Sequence, residues 1–112
     1  MKNIDLSNLC QIILDGIFYQ ELDKPIRKDI LDNVPEEHYE MACEVFNEAH
    51  QIYFEQGFIN NRYHEEKDNQ ARIDVVEDVH LMYRNTASEV FEATRIAYFD
   101  LGIGIRKLLK SI

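Results

Sequence analysis

The amino-acid sequence predicts an all-α fold: a small bundle of about four helices, with one long C-terminal helix over residues 71–101. Three observations carry that prediction. Apolar residues at Val75, Val76, Val79, Met82, Tyr83, Ala87, Val90, Ala93, Thr94, Ala97 and Leu101 recur in steps of three and four, the period of a single helical stripe. Four Gly and two Pro are too few for the turns an all-β chain needs about every 8–12 residues. A hydrophobic content of 46% is enough for a core, yet no apolar run approaches the roughly 18–20 residues of a membrane span.

Taken in order, residues 5–20 read as the first helix. Asp5 or Ser7 caps it, and Leu6, Leu9, Ile12, Ile13 and Ile17 form its buried face. Gly16 lies on that face and predicts a close approach by another helix, because Gly in a helix interior otherwise costs about 1 kcal/mol. Asp23-Lys24-Pro25-Ile26 reads as a second start, with Pro25 in the first turn of a short helix over 25–32. Asn33-Val34-Pro35-Glu36 repeats the pattern as a capping box and opens a third helix from about Pro35 to Gln56. Tyr39, Ala42, Val45, Phe46, Ala49, Ile52 and Tyr53 form its inward stripe, and Gly57 is its expected stop.

Residues 58–69 read as a loop, or as exposed extra turns of the final helix. Gly102-Ile103-Gly104 is expected to break that helix. Residues 106–112 then form a basic, amphipathic tail, either docked on the bundle or offered to a partner. No internal repeat, low-complexity tract or linker is expected to divide the chain, which reads as one helical domain over 1–112. The first and third helices would span roughly 24 and 33 Å against about 45 Å for the last, and this excess predicts cover by a second copy, a homodimer.

The formal net charge is −9, from 21 acids against 12 bases. That argues against direct binding to nucleic acid or anionic membranes, and favours a partner with a basic surface. Cys10 and Cys43 lie among apolar helix positions and read as buried, reduced thiols. With no signal-peptide pattern at the start of the sequence, a cytoplasmic location is expected.

The most distinctive local feature is acidic. No Lys or Arg stands between Asp29 and Arg62, and Glu37, Glu40, Glu44, Glu48 and Glu55 fall on one face of the third helix. Like charges at i and i+4 cost roughly 0.2–0.5 kcal/mol per pair, so Glu40, Glu44 and Glu48 burden the isolated helix. That cost predicts a function: a face that meets a basic partner. Phe54, Phe58 and Tyr63 surround the exit of the same helix and are predicted as an exposed aromatic rim.

Signals for catalysis are incomplete. Glu77-Asp78-Val79-His80 has the Glu-x-x-His spacing that ferritin-like di-iron bundles use twice, but the motif occurs here once. Glu36-Glu37-x-x-Glu40 with Asp74, Glu77 and Asp78 resembles the all-α pyrophosphohydrolases of the MazG kind. That resemblance implies Mg²⁺ held against a nucleotide pyrophosphate, although the second motif stands in reversed order. Tyr83-Arg84-Asn85 resembles the opening of the Arg-polar-His motif of HEPN ribonucleases, which are small helical dimers. Residues 86–91 supply no His, so that resemblance implies at most an inactive relative. No catalytic residue, metal ligand or cofactor is predicted. The expected function is a non-enzymatic inhibitor, immunity or adaptor protein that blocks a basic surface, such as that of a nuclease or nucleoprotein. The alternatives are a metal-dependent nucleotide phosphohydrolase and an inactive HEPN-like dimer.

Overall fold

A computed structural model describes residues 5–60, 62 and 65–110, and among these the chain forms five α-helices and no strand. Helix α1 (Leu6–Leu14) starts where Asp5 accepts the backbone N–H groups of Ser7 and Asn8 at 3.0 and 3.3 Å. The first helix does not continue to residue 20. The chain turns at Asp15 and Gly16, and α2 (Ile17–Leu31) begins with Gly16 in extended geometry. Gly16 therefore breaks a helix and admits no neighbour. A Cβ there would meet only carbonyls of its own chain, those of Ile12 and Ile13, at 3.4 Å.

Pro25 does not start a helix either. It sits inside α2, where it removes one backbone hydrogen bond. Packing outweighs that loss, because Tyr19, Asp23 and Leu31 are buried on this helix and Leu22, Ile26 and Ile30 pack against the core. A 3₁₀ turn at Glu36–His38 leads into α3 (Tyr39–Glu55), which continues through a π turn at Gln56–Asn60 instead of stopping at Gly57. Part of the expected loop is helical, as α4 (Glu65–Val75).

The long helix is also displaced. A turn over 76–80 and a 3₁₀ turn at Leu81–Tyr83 interrupt the predicted span, and α5 (Arg84–Lys110) runs 27 residues straight through Gly102 and Gly104. At 1.5 Å per residue that is about 40 Å. The basic tail is thus the last turns of α5 as far as Lys110. Ile105 is buried there, and Arg106 donates to the carbonyls of Phe58 and Ile59.

Contrary to expectation, the chain contains a repeat. Residues 17–60 and 62–105 align without a gap at a spacing of 45 residues, with twelve identities. They are Glu21/Glu66, Asp23/Asp68, Arg27/Arg72, Asp29/Asp74, Val34/Val79, Ala42/Ala87, Glu44/Glu89, Val45/Val90, Phe46/Phe91, Tyr53/Tyr98, Phe54/Phe99 and Gly57/Gly102. Each copy is a helical hairpin, α2–α3 or α4–α5, and each long helix is entered through the same turn. Pro35 and His80, the residues before the two 3₁₀ turns, have backbone angles of −57°, 144° and −54°, 140°.

Contacts between the two hairpins are reciprocal. Tyr98 donates its hydroxyl to Asp23, and Tyr53 donates to Asp68. Phe46 meets Tyr98 edge-on at 5.5 Å and 84°, while Tyr53 meets Phe91 at 5.5 Å and 83°. Within each hairpin the contacts repeat as well: Arg27 lies over Phe46 and reaches Asn47, and Arg72 lies over Phe91 and reaches Glu92. When residue i contacts j, and the mate of j contacts the mate of i, the two units are related by an approximate two-fold axis. Because His38 meets Thr86 at one end and Gly57 meets Phe99 at the other, α3 and α5 run side by side in parallel. Their buried faces (Ala42, Val45, Phe46, Ala49, Tyr53 and Ala87, Val90, Phe91, Thr94, Tyr98) make the core. Helix α1 belongs to neither copy and packs on α2 and the distal end of α3.

Candidate acidic docking groove

Helix α3 turns Ala42, Val45, Phe46, Ala49 and Tyr53 inward, which forces the residues between them outward. Glu37, Glu40, Glu44, Glu48 and Glu55 are all exposed. Four of them share one concave surface. Glu37, Glu40 and Glu44 line a hollow with Met41 and Tyr83, and Glu44 and Glu48 continue into a groove of about 240 Å³. Its opposite wall is the chain leaving α4, which contributes Asp74, Asp78, Val79 and His80. None of the ion pairs among the described residues uses any of these six acids.

Glu55 stands apart. It lines a different hollow with Ser7, Ile52, Gln56 and Lys67, beside α1. There its charge, second to burial itself, pushes the Cys10 thiol up to about 12.

The predicted aromatic rim does not exist as an exposed group. Phe54 and Phe58 are fully buried, stacked on each other with centroids 5.8 Å apart. The helix has no exit at Gly57, so the side chains around it lie in the contact between α3 and α5. Tyr63 lies outside the described residues. The exposed apolar side chains near the groove are Leu81 and Met82, in the same turn as Tyr83.

His80 and Arg84, which carry two of the catalytic resemblances, bond to backbone groups. His80 accepts the N–H of Met82 at Nδ1 and so caps a 3₁₀ turn, and His38 Nδ1 lies 2.7 Å from Thr86 Oγ1. Arg84 is not a freely exposed position: it donates to the carbonyls of Glu77 and Val79, closing the turn after α4. Arg95 is likewise partly covered and pairs with Glu92 at 2.7 Å. Among the described residues no three Asp, Glu, His or Cys side chains converge as metal ligands, so neither the Glu77/His80 pair nor the Glu36/Glu37/Glu40 set is completed in space.

Family models, curated proteins and solved structures offer no match to this chain.

A second concentration of polar groups lies largely in the core, with Arg27 at its half-buried edge. Tyr19, Asp23, Arg27, His50 and Tyr98 form one network, with Tyr19 Oη 2.7 Å from His50 Nδ1 and Arg27 bound to Asp23 at 3.0 Å. Burial lowers the His50 pKa and raises those of Tyr19 and Tyr98. Tyr98 is 0% exposed and His50 8%, so this network ties α2, α3 and α5 together. Among the described residues no helix is long and apolar enough to cross a bilayer.

Sequence reasoning placed the carboxylates of α3 on a binding face but named Asp74 and Asp78, on another helix and its trailing turn, only for the pyrophosphohydrolase resemblance. The available signal was the 45-residue spacing that pairs Asp29 with Asp74 and Glu44 with Glu89.

Proposed function

We propose that this chain is a non-enzymatic binding protein that docks a basic protein or nucleoprotein surface in the groove between α3 and residues 74–83. It acts as an inhibitor, immunity or adaptor protein does, by covering a cationic site. One observation carries the proposal: Glu37, Glu40, Glu44, Glu48, Asp74 and Asp78 gather on one concave surface outside every ion pair of the described residues. Assembling like charges without cations opposes folding, and a basic partner offsets that cost on binding. The net charge of −9 steers such a partner in and repels nucleic acid and anionic lipid. Leu81 and Met82, 75% and 69% exposed, supply apolar contact of the kind that anchors an interface.

The test replaces Glu40, Glu44 and Glu48 together with Gln. Affinity for a basic partner, isolated from source lysate at low salt, is expected to fall more than ten-fold. Binding by the unsubstituted chain is expected to weaken steeply as salt rises. Affinity indifferent to both the substitutions and the salt would overturn the proposal.

A further inference from the structure

The groove on α3 has a counterpart. A second groove of about 270 Å³ lies between the end of α2 and the start of α5. Every residue lining it has its mate, 45 positions away, lining the groove on α3. The acidic rims correspond as Asp29 to Asp74 and Glu89 to Glu44. The apolar floors correspond as Ile30 to Val75, Val34 to Val79 and Val90 to Val45.

The two halves have diverged at most positions, and what they retain is informative. Most identical pairs are buried or half-buried, as the shared fold demands. Only Glu21/Glu66, Asp29/Asp74 and Glu44/Glu89 are exposed in both copies, and two of these three pairs form the groove rims. Folding does not require a carboxylate at an exposed position, and at Glu44 it works against α3. Docking a cation explains why the same charges stand at both places.

We propose that the chain is bivalent, each groove seating one copy of the same basic amphipathic segment. Two-fold-related grooves fit the paired segments of a homodimeric partner best. Apolar floors take the aliphatic face of each segment and the carboxylate rims take its Lys or Arg. Simultaneous seating makes the second contact intramolecular, which strengthens binding without any new kind of contact. The grooves are unequal in charge. Asn33 and Ala93 in one correspond to Asp78 and Glu48 in the other, so the α3 groove carries four lining carboxylates and its counterpart two. This inference rests on the basic-partner reading above.

The probe is a fluorescein-labelled helical peptide of Leu and Lys, with a Gln-for-Lys version as control, titrated into the full chain by calorimetry and native mass spectrometry. Two Lys peptides per chain are expected, the tighter one losing affinity more steeply with salt, and no uptake of the control. The pair D29N and E89Q is expected to leave one site, E44Q with D74N to leave the other, and all four together to leave none. These side chains are exposed, and circular dichroism checks that each variant folds. One peptide per chain, lost with E44Q and D74N but unaffected by D29N and E89Q, overturns bivalency and leaves the single-groove function standing. Two peptides that survive all four substitutions place binding outside the grooves and overturn the inference. Absence of salt-sensitive binding by the unsubstituted chain removes both proposals.

Discussion

Gly57 lies against the backbone of Phe99, and Gly102 lies against the backbone of Phe54, its equivalent in the other half. A Cβ on Gly57 would stand 2.2 Å from the Phe99 carbonyl oxygen, and one on Gly102 would stand 2.4 Å from that of Phe54. Neither glycine is needed for its φ; both are needed for the approach of α3 to α5. Overpacking of a fixed contact typically costs about 1–3 kcal/mol, so G57A and G102A are each expected to destabilise the chain by at least about 1 kcal/mol. Nothing lies within 4 Å of a Cβ on Gly104. G104A should stabilise the chain by about 0.5–1 kcal/mol through helix propensity alone. Urea unfolding of the three variants checks this, and a G57A midpoint equal to that of the unsubstituted chain would contradict the close approach.

Tyr53 and Tyr98 donate to buried Asp68 and Asp23 across the two-fold relation. Replacing either by Phe keeps the ring and deletes the donor, leaving a buried carboxylate one partner short. About 1–3 kcal/mol is expected for each loss. Both variants should lose stability, because each deletes the donor of an equivalent hydrogen bond between the halves. Chemical denaturation measures both, and a cost confined to one half would show that the reciprocity is geometric only.

Acid should weaken the fold in two stages. Burial depresses the His50 pKa below its ordinary 6.5, so at moderately low pH the unfolded chain binds a proton that the folded chain refuses. That contribution is complete above about pH 6.5 and is lost as pH falls from there toward the folded pKa. Glu92 follows at lower pH. Hydrogen bonds from Arg95 and Arg72 hold its carboxyl below the ordinary 4.5, so its contribution is present above that value and lost beneath it. Thermal melts between pH 7.5 and 4 should decline in this order, and His50→Gln should flatten the upper stage. A variant whose profile matched the unsubstituted chain down to pH 5 would remove His50 as the cause.

The acidic groove makes a prediction about stability as well as binding. Changing Glu40, Glu44 and Glu48 to Gln removes two i,i+4 repulsions, each worth roughly 0.2–0.5 kcal/mol. The triple variant should melt higher than the unsubstituted chain at low salt, and the gap should close as salt screens the repulsion. A lower melting point at low salt would mean that these carboxylates have stabilising partners within the fold.

Some features were legible from residues alone, and the reason is local chemistry. Helical class followed from apolar spacing, because a stripe at 3.6 residues per turn buries itself only as a helix. Exposure of Glu37, Glu40, Glu44 and Glu48 followed from their place opposite Ala42, Val45, Phe46 and Ala49, since a carboxylate without a partner stays in water. The first cap was equally local, with Asp5 taking the role that Asp5 and Ser7 both offered.

Tertiary contact decided the rest. Gly57 and Gly102 carry the composition of stop signals, yet helix continues through both because a neighbouring backbone occupies the space a side chain would take. That one fact buries Phe54 and Phe58 and removes the aromatic rim. Pro25 remains inside α2 because Tyr19, Asp23 and Leu31 are buried on either side of it. The repeat was written in the sequence, but its longest identical run is three residues, Glu44-Val45-Phe46 with Glu89-Val90-Phe91. Its other identities are scattered, because a helix repeats its core contacts only every third or fourth position. Reciprocal contacts, which exist only after α3 and α5 pair, make the two halves visible as one motif used twice.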